Sequence, residues 1–263
     1  MKRRDGRDAH EMRSIKTTFG ITDFAPGNVL LELGKTKVLC SVTLQNSVPP
    51  FLKGSGSGWL TAEYALLPAS THIRTNRESS TMRRQGRSIE ISRLISRALR
   101  SVIDLSAIGE RTIMIDCDIL QADGGTRTAS INAAYTALIM AQDNLLRTNA
   151  ITKTFIRESI GAIAVGVTAQ GLLLVDPDFK EDSEGIADIN IIMTYQGKLV
   201  ELQGGAEKKP LPWSLIIQAG DLAQKAIATI EEKISISNRI IHSAKADKIP
   251  LFSLKNRQPQ SPI

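Results

Sequence analysis

The chain has 263 residues, of which 42% are apolar, so it can bury a full hydrophobic core and fits one large domain or two small ones. Its formal net charge of +6 suits a polyanionic partner such as nucleic acid without requiring one. The three histidines and two cysteines lie outside any metal-ligand spacing, which argues against zinc sites and histidine-based triads. The sequence shows no signal peptide and no membrane-length apolar run, so we expect a cytoplasmic protein with buried, reduced thiols and no membrane partner.

The first part of the chain is predicted to consist of short strands. A polar, charged arm, residues 1–12, is expected to precede them. The run from Gly34 to Thr36 is similar to the end of a nucleotide-triphosphate loop, but Val29 stands where that motif needs glycine, and a strand follows instead of a helix. We therefore interpret it as a hairpin turn. The predicted strands cover residues 14–19, 27–32, 37–44 and 61–67.

Arginines cluster in the next loop and in the helix that follows it, predicted over residues 89–103. A basic run without apolar periodicity is typical of a solvated surface loop. A loop and an adjoining helix that both carry arginine also fit a channel for a nucleic-acid backbone. The candidate backbone-binding residues are Arg74, Arg77, Arg83, Arg84, Arg93 and Arg97.

A glycine pair stands between a predicted strand, residues 111–119, and a predicted helix, residues 129–146. Glycine lets the backbone approach an anion closely, and the free N–H groups and dipole of the following helix favour negative charge there. An arginine can add a bidentate clamp and hydroxyl groups can donate further hydrogen bonds. Gly-Gly before a helix is also common as a plain turn, so both interpretations stand at this point. The residues concerned are Gly124, Gly125, Thr126, Arg127, Thr128 and Ser130.

The second part of the chain is predicted to hold four more strands and a third helix, which makes an α+β fold of strand clusters separated by helices. The polar stretch after Ser235 is predicted to be a loose tail, which divides the chain into residues 1–235 and 236–263. The predicted elements are strands at residues 159–167, 171–175, 188–194 and 199–203 and a helix at residues 213–233.

Two aspartates six positions apart stand out in this part. Asp182 lies in an acidic run that, on pattern alone, indicates a turn. Asp188 begins an apolar strand, where aspartate is disfavoured, and Asn190 lies on the same strand face. A carboxylate there could hold a divalent ion or move a proton.

Several motifs occur together and in order over roughly residues 3–233. They include Arg4-Asp5-Gly6-Arg7, Gly109-Glu110-Arg111, Asp116-Cys117-Asp118, residues 120–130 and Glu181-Asp182-Ser183. On these motifs the sequence resembles the ribonuclease PH family of phosphate-dependent 3′-to-5′ exoribonucleases. The resemblance implies a single ribonuclease PH-type domain of two βαβα-like halves, with mixed sheets packed with helices, assembled as a homohexamer of three dimers. It also implies reversible phosphorolysis of RNA, including trimming of tRNA 3′ ends, with inorganic phosphate as co-substrate and Mg²⁺ as cofactor.

The resemblance also implies roles for particular residues. It places the catalytic and Mg²⁺-binding pair on Asp182 and Asp188. The family usually has an arginine where this chain has Ala69, which predicts a tRNA grip that is weaker or redistributed to Arg83 and Arg84. The implied phosphate-binding residues are Arg87, Gly125, Thr126 and Arg127.

Two other functions remain open from the residues alone. One is a small-molecule phosphotransferase, which would leave the arginine cluster without a role. The other is a catalytically silent RNA-binding ring subunit of the same fold, which is disfavoured because Arg87, Arg127 and Asp188 are all present.

Overall fold

The first half of the molecule is a five-stranded sheet. The computed structural model describes residues 2–80, 85–206 and 208–244. The strand order is β1-β2-β3-β5-β4, with β4 parallel to β5 and every other pair antiparallel. A parallel pair needs a crossover, and helix α1 (Gly86–Arg100) lies in it. The strands are β1 (Ile15–Phe19), β2 (Gly27–Leu33), β3 (Thr36–Gln45), β4 (Trp59–Leu66) and β5 (Thr112–Gln121).

The second half is a four-stranded antiparallel sheet in the order β7-β6-β8-β9. A short helix, α3 (Phe179–Glu184), connects β7 to β8, and a long helix, α4 (Trp213–Ala244), follows β9 and packs on β6 and β8. The strands are β6 (Ile160–Val167), β7 (Leu173–Val175), β8 (Ala187–Thr194) and β9 (Leu199–Ala206).

Helix α2 (Thr126–Arg147) joins the two halves, because it packs against β2 and β3 of the first sheet and β6 of the second. Most of its residues are buried, polar ones such as Asn132 and Thr136 among them, because the helix lies between the two sheets. Its buried Asn132 forms two hydrogen bonds with the Ala162 main chain, at 2.9 and 2.8 Å. The halves therefore share one central helix.

Burial alternates along β5. Ile113, Ile115, Cys117 and Ile119 are buried, while Asp116 and Asp118 lie half-buried on the opposite face. Cys117 is cross-strand partner to Cys40, and the two buried, free thiols lie 3.6 Å apart. The expectation of buried, reduced cysteines is thus confirmed.

The predicted fold class and strand clusters are confirmed, and three local expectations change. The N-terminal arm is packed against the molecule, with Arg3 only 8% exposed. The acidic run forms helix α3, because Asp178 and Glu181 make a reciprocal capping box at its start. Helix α4 continues to Ala244 instead of ending at residue 233, and residues 245–263 of the predicted tail lie outside the described residues, so the domain boundary at residue 236 stays a prediction. Across the described ranges, no helix has the length and apolarity that a membrane crossing requires.

Candidate active site between the two sheets

A cavity of about 530 Å³ lies where the two halves meet. The first half contributes the start of α1, the start of α2 and the loop after β4. The second half contributes β6, α3, β8 and the turn before α3. It is lined by all six residues to which the family resemblance gave a role in phosphate binding or catalysis: Arg87, Gly125, Thr126, Arg127, Asp182 and Asp188.

The glycine pair begins a tight turn into α2, which we call the cradle (residues 124–127). Gly124 and Gly125 both have left-handed φ values, +78° and +65°. A Cβ on Gly124 would lie 2.6 Å from the Pro177 carbonyl oxygen, so glycine is required for the second half to pack here. Gly125 is the N-cap of α2 and has no side chain to accept from the first-turn amides, which leaves those donors for a ligand.

Arg127 is held in one orientation at the cavity. Its Nη2 lies 2.8 Å from Glu90 Oε2, while Gln203 Nε2 donates to Glu90 Oε1 at 2.7 Å. Burial acts to raise the pKa of Glu90, but the hydrogen bonds from Arg127 and Gln203 lower it overall, so the carboxylate is ionised. The buried Nε of Arg127 has no hydrogen-bond partner among the described residues. The guanidinium is thus fixed on one edge and keeps a donor on another.

The hydroxyl groups of the cradle region do not all face the cavity. Thr126 Oγ1 accepts a 3.0 Å hydrogen bond from the hydroxyl of Tyr64, which also lies near the Arg87 guanidinium. The hydroxyl of Thr128 donates to the Gly125 carbonyl at 3.0 Å, and Ser130 is fully buried. The expectation that all three hydroxyls serve an anion is therefore wrong for Thr128 and Ser130.

The acidic side of the cavity lies on α3 and β8. Asp188 has glycine as its cross-strand partner on both sides, Gly166 and Gly205, so neither directly paired residue places a side chain beside it. Asn190, two residues further on the same face, donates to Asp188 Oδ2 at 2.7 Å. Asp182 reaches the same cavity from α3.

The donor set fits Mg²⁺ and not a closed protein cage. The described residues contain no cluster of three or more His, Cys, Asp or Glu side chains arranged for a metal. Mg²⁺ usually binds through one or two carboxylates together with substrate phosphates and water. Asp182 and Asp188 supply two carboxylates beside the cradle, which meets that requirement.

The loop between β4 and α1 that carries Arg74 and Arg77, which we call the arginine loop, contributes to this cavity through its described residues. Ile73 and Thr75 line it, and the exposed Arg74 and Arg77 alternate with them along the chain. Of the other four candidates, Arg83 and Arg84 lie outside the described residues, and Arg93 and Arg97 are exposed on α1.

Arg97 has a partner that was not expected from the sequence. Its Nε lies 2.7 Å from Glu201 Oε2 on β9, so this arginine links α1 to the second sheet. Other site residues were missed because a single position carries no local signature of a contact with a distant part of the chain. The missed residues that contact or line the site are Tyr64, His72, Glu90, Phe179 and Gln203.

Known proteins match this chain over both of its sheets. Domain 1 of the 3′ exoribonuclease family (RNase PH) matches residues 11–142, which hold the first sheet, and domain 2 matches residues 158–226, which hold the second. A protein named ribonuclease PH from Bacillus cereus strain G9842 is 45% identical over 223 residues, or 85% of this chain and 91% of the relative. One from Bacillus cytotoxicus is 44% identical over 229 residues, or 87% and 94%.

Solved structures share the fold at lower identity. Rice Rrp46 has a TM-score of 0.74 and 16% identity, covering 89% of this chain and 99% of that one. A chain of the Archaeoglobus fulgidus exosome with RNA bound to its active site has a TM-score of 0.75 and 22% identity, covering 88% and 92%. With the sequence matches over both halves, these findings show that the chain belongs to the 3′ exoribonuclease (RNase PH) family.

Proposed function

We propose that this chain is a phosphate-dependent nucleotidyltransferase that shortens RNA from the 3′ end. A phosphate oxygen bonds to the phosphorus of the last nucleotide as the bond from that phosphorus to the preceding 3′ oxygen breaks. The 3′ oxygen takes up a proton and the last nucleotide leaves as a nucleoside diphosphate. The observation that carries this proposal is one cavity that holds arginines from the first half and aspartates from the second, Arg87 and Arg127 beside Asp182 and Asp188.

Phosphate binding is assigned to the cradle and its two arginines. Phosphate and the RNA backbone repel each other, so their charge has to be offset before they can approach. The first-turn amides of α2, the free edge of Arg127 and the guanidinium of Arg87 provide fixed positive charge at that position. Because Arg127 is held by Glu90, little reorganisation is needed when phosphate binds.

Stabilisation of the leaving 3′ oxygen is assigned to the two aspartates on the acidic side of the cavity. Asp182 and Asp188 would hold Mg²⁺, which when bound stabilises negative charge on that oxygen. Asp188 alternatively supplies the proton, and Asn190 fixes its carboxylate by bonding Oδ2. The reaction exchanges one phosphate linkage for another of similar energy, so we expect it to run backward from nucleoside diphosphates.

RNA, including tRNA 3′ ends, is the proposed substrate, and the arginine loop is its proposed backbone-binding surface. Replacing Arg74, Arg77, Arg83 and Arg84 by alanine should weaken RNA binding and reduce its salt slope by about 0.7–0.9 for each phosphate that is no longer neutralised. Phosphorolysis of a very short oligonucleotide should persist. An unaltered affinity and salt slope would assign these residues to a solvated surface.

We also propose a homohexameric ring of three dimers. Support comes from the family membership and from solved relatives that include an archaeal exosome core. Light scattering on the purified chain tests this, since a hexamer of the 28.6 kDa chain is easily told from a dimer.

The function itself is tested by incubating purified protein with a short 3′-extended RNA and Mg²⁺, with and without inorganic phosphate. Nucleoside diphosphates should form only with phosphate. Release of nucleoside monophosphates without phosphate would indicate hydrolysis instead. RNA binding without any product would indicate the alternative, a catalytically silent ring subunit.

A further inference from the structure

We propose that the N-terminal segment, residues 2–13, positions both sides of the active site. One of its arginines, Arg13, holds the cradle, and another, Arg3, holds the helix that carries Asp182. Both are positioning residues that do not themselves touch substrate. The inference rests on the proposed phosphorolysis and adds residues that lie outside the cavity.

Arg13 is bonded to the main chain of the cradle turn. Its Nη1 donates to the Asp123 carbonyl and its Nη2 lies 3.3 Å from the Gly124 carbonyl. The Thr36 hydroxyl donates to the same Gly124 carbonyl at 2.7 Å. In a trans peptide the C=O and the following N–H point in opposite directions. Holding the Gly124 oxygen therefore directs the Gly125 amide away from Arg13 and Thr36.

The other edge of Arg13 is bonded to a buried carboxylate. Its Nε and Nη2 lie 2.8 and 2.6 Å from the two oxygens of Asp176, and its own main-chain amide donates to Asp176 at 2.9 Å. Burial alone would lower the pKa of Arg13, but the bonds to Asp176 raise it overall, so the guanidinium stays charged. This places a fixed positive charge directly behind Gly125.

Arg3 makes the corresponding contacts on the acidic side. Its Nε lies 2.8 Å from Glu181 Oε1, and a second guanidinium nitrogen bonds the other oxygen of the same carboxylate. Glu181 is the residue before Asp182 and forms the capping box of α3. Arg3 also donates to the Val175 carbonyl at 2.7 Å and the Asp176 carbonyl at 3.0 Å. It therefore fixes α3 relative to β7.

Asp176 is the point where the two sets of contacts meet. It is fully buried and has a φ of +52°, which is uncommon for a residue other than glycine. Such a conformation persists where the surroundings over-determine it, and it is found more often near functional sites. Here the carboxylate bonds Arg13 while the carbonyl accepts from Arg3 and Arg7. The segment thus connects the cradle to α3 through one residue.

Two mild substitutions should give different kinetic results. Arg13→Lys keeps the charge beside Asp176 but cannot bond both carbonyls, so the phosphate KM should rise about 10- to 100-fold with a smaller change in kcat. Arg3→Lys loosens α3 and Asp182, so kcat should fall by a similar factor with the phosphate KM nearly unchanged. Glu181→Gln should act in the same direction as Arg3→Lys.

Arg4→Ala is the matched control. Arg4 is the neighbour of Arg3 and pairs with Glu184 on the same helix, but both side chains are about half exposed. This variant should keep the parent kcat and phosphate KM. The thermal unfolding midpoint of each variant is measured alongside, so that rates are compared only where the protein is fully folded.

The results separate this inference from the function on which it rests. A parent chain that yields no nucleoside diphosphate from RNA and phosphate would overturn the proposed function and this inference with it. An active parent with the expected KM and kcat split would support both. An active parent whose folded Arg13→Lys and Arg3→Lys variants match it, or lose rate in the same way, would overturn the positioning role alone.

Discussion

Arg127 is held by Glu90 on one edge and keeps a donor at the cavity, so substituting it tests the proposed phosphate site. Arg127→Ala should raise the phosphate concentration that gives half-maximal rate, because a hydrogen bond to a charged group contributes about 1.5–3 kcal/mol, or roughly 10- to 100-fold. RNA affinity should change little. Rates measured against phosphate concentration at saturating RNA show the effect.

The same helix offers a control for this substitution. Arg147 lies exposed in the last turn of α2, far along the helix from the cradle. Arg147→Ala should leave the phosphate dependence unchanged. If Arg127→Ala also leaves it unchanged, Arg127 does not bind phosphate.

Substituting Asp188 tests the proposed role of the acidic side of the cavity. Asp188→Asn keeps the shape and can still accept from Asn190, but it removes the charge and the acid. The loss of metal or acid–base assistance typically costs on the order of 10²–10⁴ in rate. Phosphorolysis and the reverse polymerisation should fall together, since both pass through one transition state.

RNA affinity of the same variant should persist, and Asp221→Asn on the exposed face of α4 serves as its control. An Asp188→Asn protein that trims RNA within a few-fold of the parent would exclude this carboxylate from the chemistry.

Residues with a local signature could be predicted from the sequence, and residues defined by distant partners could not. The glycine pair, Arg127 and Asp188 stand out in their own segments. Glu90 binds a partner 37 positions away, and Arg13 binds one 163 positions away. No local pattern encodes such contacts, so the support of the site became visible only in three dimensions.

At the scale of elements, β5 presents its apolar face to the core and carboxylates to the other side. Burial, and then the neighbouring Glu63 and Asp118, raise the pKa of Asp116 above 3.8. The folded state therefore holds this proton more tightly than the unfolded state, and it loses stability as pH rises through the folded pKa. Asp116→Asn should raise the unfolding midpoint at pH 7, with an advantage that disappears below about pH 3.8. Thermal unfolding of the parent and the variant at pH 3.5 and pH 7 measures both the gain at neutral pH and its loss in acid. A midpoint at pH 7 equal to or below that of the parent would contradict the expectation.

Strands with strict alternation and helices α1 and α2 were predicted within a few residues of their bounds, because one buried face fixes their period. Helix α4 runs to Ala244, 11 residues past its predicted end at residue 233. Helix α3 was missed because six residues are too few to show a period. Its formation depends on the capping box of Asp178 and Glu181 and on the contact of Glu181 with Arg3. Arg3 belongs to the opposite end of the chain, so no pattern near α3 indicates this contact.

For the whole molecule, acid should weaken the contact between the N-terminal segment and α3. Burial acts to raise the pKa of Glu181, but the bonds from Arg3 and the Asp178 amide lower it below 4.5 overall. A depressed carboxyl pKa contributes stability above the unfolded value, and that stability is lost as pH falls through the folded value. The free energy of unfolding should therefore decrease as the pH is lowered past about 4.5.

Urea unfolding at pH 3 to 7 measures this loss. Glu181→Gln removes the titrating group, so its free energy of unfolding should fall less steeply with acid than that of the parent. Equal slopes in the two proteins would show that this carboxylate does not contribute.

The α+β class followed from the pattern of elements, since strand runs alternate with a few helices. The division into two halves followed only from the resemblance to a family, and their meeting around one cavity became visible only in the structure. Their docking depends on the packing of Gly124 against Pro177 and on α2 reaching both sheets, and periodicity carries no information about either.

The contact between Arg3 and Glu181 spans 178 positions of the chain. During synthesis the amino-terminal residues emerge first, and domains generally fold as units as they emerge. A growing polypeptide that has not yet produced α3 lacks both aspartates and the partner of Arg3. On the proposed mechanism, we therefore expect the nascent protein to stay inactive toward RNA until both halves of the chain have been made.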